Sequence, residues 1–273
     1  MAWSAFPYAD AEAAYRHTPV SLQAAWPRLH ACDAEPWPAD ARLVDAWIAC
    51  HAGQFELAAQ LGLDAGFEGY AVAHRAICLH ATYVETSERR RNAVFEEVAA
   101  RCERQQAAQP DNPAGYHWHA YALARYAQGV SVVKALAQGV GGKVKASLDT
   151  ALRLAPAHCD AHVTMGGYHA EIIDKLGVMA GALSYGASKD SAYRHFRTAL
   201  ALHPESAIAR LQFANALLML GGRGKLDEAL ALRAEAAACL PCEAGERLHV
   251  ELAKQPWTQA GGASAIHHSS TRF

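Results

Sequence analysis

Apolar residues recur along this chain every three to four positions over long stretches, and no stretch alternates apolar and polar residues with a period of two. An all-α fold is the expectation. Leu22, Ala25, Trp26 and Leu29 share one face of a segment opened by Thr18-Pro19, where threonine suits the N-cap and proline the first helical position. Pro27 is expected to kink that helix or end its first half, and Glu35-Pro36-Trp37-Pro38 to run extended. Between Asp45 and Ala59 the pattern reads helix, reversal at Gly53, helix, because glycine enters the left-handed region without steric cost. The same logic pairs 71–83 with 88–108, 116–128 with 143–154, 160–175 with 190–202, and 207–220 with 226–240. A last helix over 243–254 is expected to cap the stack.

Four prolines, Pro110, Pro156, Pro204 and Pro241, close these units, most clearly in Ala151-Leu152-Arg153-Leu154-Ala155-Pro156 and Ala199-Leu200-Ala201-Leu202-His203-Pro204. Their spacings are 46, 48 and 37 residues, so two units each carry about a dozen extra residues, Val130–Gly142 and Leu176 to Lys189. Both insertions fall between the helices of a hairpin and are expected on one edge of the stack. Three regions follow: an N-terminal helical and extended segment (1–38), the repeat solenoid with its capping helix (39–254), and a flexible tail (255–273).

Composition narrows the function classes. The chain has 273 residues, 52% hydrophobic and 19% charged, with a net charge of -2, which points away from a nucleic-acid surface. Arg89-Arg90-Arg91 sits among Glu88, Glu96 and Glu97 and reads as a solvated helix face. No eighteen apolar residues run together, so no membrane span is expected. The N-terminus shows no secretory leader. Seven scattered cysteines suit buried thiols in a reducing cytoplasm.

Within the hairpins, Trp118, Tyr121 and Ala122, then Met165-Gly166 with Ala192, Phe196, Ala199 and Pro204, then Phe213-Ala214 with Ala229, resemble the tetratricopeptide repeat, an antiparallel helix pair. The resemblance implies a right-handed helical-hairpin solenoid of about five hairpins with two inserted segments. The stretches from Ala137 to Pro156, Gly166-Gly167-Tyr168-His169 to Tyr185-Gly186-Ala187-Ser188, and Ala192 to Pro204 resemble the tetratricopeptide region of the regulator of microtubule dynamics family. The chain is also similar to uncharacterised bacterial tetratricopeptide proteins and, more distantly, to the periplasmic T component of TRAP-type transporters. The animal family implies an adaptor role at organelles and microtubules; the architecture is what the resemblance carries to this chain.

Local motifs for catalysis are weak. Cys239-Leu240-Pro241-Cys242 has redox spacing, but Cys239 ends a helix, where the dipole disfavours a thiolate. Zinc there would need more ligands than nearby His249 supplies. Gly139-Val140-Gly141-Gly142-Lys143 lacks the Ser/Thr of a phosphate loop and reads as a turn. Fifteen histidines, including His117, His119, His158, His162 and His169, read as helix-surface and groove-lining residues, with a pH-sensitive groove as the alternative. His267-His268 reads as incidental rather than as a metal site. No enzyme activity, cofactor or metal is expected.

The concave groove is therefore the candidate site. Motif position turns Tyr116, His119, Leu123 and Tyr126 inward, then Asp160, Val163, Gly167, Ala170 and Glu171, then Ile208, Leu211, Asn215, Leu218 and Met219. This wall suits an amphipathic segment of a protein partner, with an apolar, lipid-like ligand as the alternative. Val132, Val133, Leu136, Val178, Met179 and Leu183 of the insertions are candidates to fold back over it or to mediate a homo-oligomer.

Overall fold

The computed structural model describes residues 3–256 except 9 and 34, so the tail from 257 on, His267-His268 included, lies outside the described residues. Helix caps set most of the boundaries. Helix α2 (Pro19–Leu29) follows a four-residue α1 (Ala11–Ala14) and opens on Thr18, whose hydroxyl accepts from the Ser21 amide while the Ser21 hydroxyl accepts from the Thr18 amide. Asp40 caps α3 (Ala41–His51), Ser87 caps α6 (Glu88–Ala108), and Asn112 caps α7 (Pro113–Gln128), with Pro113 at the first helical position. Helix α2 continues through Pro27 to Leu29 rather than ending at the proline. Pro27 stands in the last turn, and Trp26, stacked on His30 at 3.8 Å, anchors that turn in the core.

Four of the five expected hairpins pair as their periodicity predicts. Helix α3 packs on α4 (Phe55–Asp64) and α7 on α9 (Val140–Leu154), whereas in the second unit α5 (Tyr70–Tyr83) packs mainly on α4, and α6 mainly on α7, with a smaller α5–α6 contact. Helix α10 (Cys159–Leu176) packs on α12 (Lys189–Leu202), and α13 (Ala207–Gly221) on α14 (Leu226–Ala238). Successive first helices stack side by side: α5 on α7, α7 on α10, and α10 on α13. Each insertion carries a short helix, α8 (Val132–Ala137) and α11 (Val178–Tyr185), and both touch α9, which places them on one edge. Only Gly139, at φ +64, makes the turn of the glycine-rich stretch; Val140 to Lys143 already form the first turn of α9.

Small residues let the helices approach. Gly53 reverses the chain at φ +84, and a Cβ there would lie 2.9 Å from the Phe6 ring. At Gly166 a Cβ would lie 2.8 Å from Phe196, which is fully buried and stacked on Phe213 at 5.3 Å. Gly166→Val is therefore expected to lower stability by about 1–3 kcal/mol through overpacking. Urea unfolding reads this out, and an unchanged midpoint would contradict so close a crossing.

The last helix does more than cover the end of the stack. Helix α15 (Ala244–Lys254) packs on α13 and α14 and also reaches α1 and α3. Val250 and Ala253 join Leu211 and Ala236 on one side, while Ala244 and Leu248 join the core of the first hairpins. The two ends of the chain's stack thus meet across the concave face. Among the described residues no helix is long and apolar enough to cross a membrane.

Candidate functional site

Because α15 and the α2 turn cross the concave face, what remains of the groove is a cavity of about 200 Å³. Its walls are the first helices α5, α7, α10 and α13; α8 and α9 close it on the insertion edge, and α2 with α15 on the other. The two ends differ in chemistry. On the insertion edge Val132, Leu136, Val140, Val144, Ile172 and Leu176 make an apolar pocket, with the Tyr185 ring resting on Gly141. Arg75, Asp160, Glu243 and His249 line the opposite end.

That polar end is the edge of a buried ring of paired groups. Arg75 bridges Asp33 at 3.3 Å and Glu243 at 3.0 Å. Glu243 meets His51 Nδ1 at 3.1 Å, His51 Nε2 meets His30 Nε2 at 3.3 Å, and His30 Nδ1 returns to Asp33 at 2.9 Å. Glu243 also caps α15 by accepting from the Glu246 amide, and Arg28 grips Glu246 at 2.8 Å. Burial by itself would raise both carboxyls. His30 and Arg75 outweigh it at Asp33, and Arg75 and His51 outweigh it at Glu243, so both stay well below the usual carboxylate range. Burial lowers His51 to about 4 despite Glu243. Burial likewise pushes Asp160 up to about 6, against the pull of Arg75.

Between the two ends stands a guanidinium without an acid. Arg125 lines the cavity, donates to Gln128 Oε1 at 3.2 Å and lies over the Tyr121 ring at 5.1 Å. No carboxylate among the described residues is within ion-pair distance of it; Glu171 is engaged by Gln128 and Lys175. Two more buried groups in this wall lack partners, the Tyr168 hydroxyl and His117 Nδ1. Burial keeps His117 neutral and the Tyr168 phenol protonated, so beside the acid-paired Arg28, Arg75 and Lys175 the cavity presents Arg125 and uncommitted hydrogen-bonding groups next to an apolar pocket.

The residues expected to line the groove divide by helix. Val163, Gly167 and Glu171 of α10 line the cavity, as does Asp160, and so does Ile208 of α13. Leu211 is instead covered by α15 beside Val250; Asn215 and Leu218 lie outside the lining, and Leu218 packs against the second core. All four residues expected from α7 miss it. Tyr116 packs on the core, Leu123 is buried in it, His119 binds Ser147 at 2.7 Å, and Tyr126 donates to Gln138 at 3.1 Å. The cavity-facing residues of α7 are His117, Trp118, Tyr121, Ala124, Arg125, Ala127 and Gln128. The expected stripe is out of register by one residue, and one residue turns a helix by about 100°. The slip arises from assigning Tyr121 to a packing position of the motif. Its regular spacing to Arg125 and Gln128 is the signal that could have set the register.

Of the insertions, Val132 and Leu136 fold over the cavity, whereas Val133, Val178, Met179 and Leu183 do not line it and stay exposed. The histidines are mostly packed between helices: His162 meets His195 at 2.8 Å, His169 stacks on His195, and His117 lies against His158. Cys239 donates to the Glu235 carbonyl, and neither it nor Cys242 lines the cavity.

No protein-family model matches the chain, and no curated protein matches it. Its fold is similar to the crystal structure of a thermophilic TPR protein from Thermus thermophilus, with a TM-score of 0.56 and 19% identity over 78% of this chain and 96% of that one. The likeness establishes an all-α, tetratricopeptide-like helical repeat.

Proposed function

We propose that this chain is a non-enzymatic binding protein whose cavity holds a small amphipathic molecule, with an apolar body against α8 and α9 and an anionic group on Arg125. The observation that carries this reading is Arg125 itself, a cavity-lining guanidinium that no carboxylate among the described residues meets at ion-pair distance, with Glu171 acting on it only from further off. A narrowed, partly open cavity favours a small ligand over an extended peptide, since α15 and the α2 turn occupy part of the face along which a peptide would lie. The cysteines are unpaired thiols, which fits a reducing cytoplasm.

Native mass spectrometry after gentle purification is expected to show a bound small molecule. A fluorescent fatty-acid analogue should bind the emptied protein, and Arg125→Leu should weaken it about tenfold to a hundredfold, the worth of a hydrogen bond to a charged group. A consistently empty protein that also ignores the probe would overturn the reading.

A second reading, attachment of a protein segment, rests on a separate observation. Val133, Met179 and Leu183 on the inserted edge are 77%, 88% and 90% exposed. Met179→Asp with Leu183→Asp should abolish co-purification of a partner, or self-association seen by light scattering, while leaving the fold intact. Unchanged recovery of either assembly would remove this edge from consideration.

A further inference from the structure

Two cysteines that no sequence motif links come together at the polar end of the cavity. Cys32 lies in the turn after α2, and Cys159 and Asp160 occupy the first turn of α10. Their two sulfurs and one carboxylate oxygen all lie within 4.8 Å of one another. The backbone fixes this meeting, for the Asp160 amide donates to the Cys32 carbonyl at 3.2 Å. Cys159 is fully buried, whereas Cys32 and Asp160 line the cavity, which supplies an entry path and an open coordination position.

We propose that Cys32, Cys159 and Asp160 form a three-ligand site for one thiophilic divalent cation of the zinc type, with its fourth position facing the cavity. Two thiolates and one carboxylate match the borderline-soft character of zinc and its tolerance of a tetrahedral set with one open position. Magnesium and calcium, which take oxygen ligands, do not fit a sulfur-rich set. The three ligands carry one negative charge more than the cation neutralises, and Arg75, already shared by Asp33 and Glu243, offsets it only in part. Binding releases the two thiol protons to solvent, so uptake strengthens as pH rises. The cation would reinforce the link between the α2 turn and the fourth hairpin, which the Asp160 amide and the side chains of Cys32, Cys159 and Asp160 already make. This site is independent of the small-molecule reading, since it requires nothing at Arg125.

The test uses the full chain, stripped of metal and kept reduced, with Co(II) as the probe. One equivalent of Co(II) should produce thiolate charge-transfer and tetrahedral d–d absorption, displaced by Zn(II). Cys32→Ser and Cys159→Ser should each abolish the signal. Asp160→Asn should weaken binding by at least the roughly tenfold that losing even an outer-shell partner costs. Cys239→Ser with Cys242→Ser should leave it unchanged. Wild-type footprinting is a second readout that needs no variant to fold: Zn(II) should slow alkylation of Cys32 and leave Cys239 unaffected. Absence of thiolate bands at one equivalent, their persistence in Cys32→Ser, their loss in the Cys239/Cys242 variant, or unprotected Cys32 would each overturn the proposal.

Discussion

Acidification from about pH 6 to pH 4 is expected to unfold this protein cooperatively. His51, His74 and His158 are all but fully buried, and burial lowers them to about 4, 3 and 4. The unfolded chain binds these protons near pH 6.5, where the folded chain does not. A depressed folded value contributes stability that is present above the unfolded value and is lost as pH falls toward the folded one. Each histidine then costs up to about 1.4 kcal/mol per pH unit, and the three together about 4 kcal/mol per unit. For a chain of this size that lowers Tm by roughly 10 °C per unit. Asp33 and Glu243 add a further loss at lower pH, when their held carboxylates protonate. Circular-dichroism melts from pH 7 to 4.5 would show the slope. A Tm that stays flat down to pH 5 would mean that these rings are not held neutral in a dry interior.

Arg75→Ala should be the most damaging single substitution in the cavity wall. Arg75 is the shared cation of Asp33 and Glu243, and its removal leaves two buried carboxylates facing one another. Breaking a buried pair costs about 3–5 kcal/mol, so Tm should fall by about 10 °C or more. The loss has a location. Glu243 opens α15, so hydrogen exchange over residues 244–254 should rise well before that over α10. Replacing the whole set by neutral groups, Arg75→Met with Asp33→Asn and Glu243→Gln, should recover much of the stability, because unpaired charge rather than lost volume causes the damage. If the triple variant is no better than Arg75→Ala, the network's worth lies in packing.

The hairpins were legible because each depends on residues close in sequence. Caps such as Thr18, Asn112 and Ser206, and apolar stripes at helical spacing, act over one or two turns. The two insertions were legible from the proline spacing alone. The candidate site was legible only in part. Val163, Gly167, Glu171 and Ile208 line the cavity, and Gly166 packs on Phe196 behind the first three. Tyr116, His119, Leu123 and Tyr126 do not line it, because the motif put Tyr121 at a packing position although its spacing to Arg125 and Gln128 marks the cavity face.

Sequence by itself determined the helices, most of their pairing and the edge from which the insertions emerge, since local periodicity and capping set all three. Only the tertiary structure decided that the groove is narrowed to a partly open cavity. That narrowing rests on Arg28 with Glu246, His51 with Glu243 and Arg75 with Glu243, pairs 218, 192 and 168 residues apart. The same narrowing brings Cys32 to Cys159 and leaves Arg125 facing a cavity in place of an open face. Charges separated by most of the chain have no local pattern to betray them. They find one another only when the stack's curvature brings its ends together, and burial then makes their pairing obligatory.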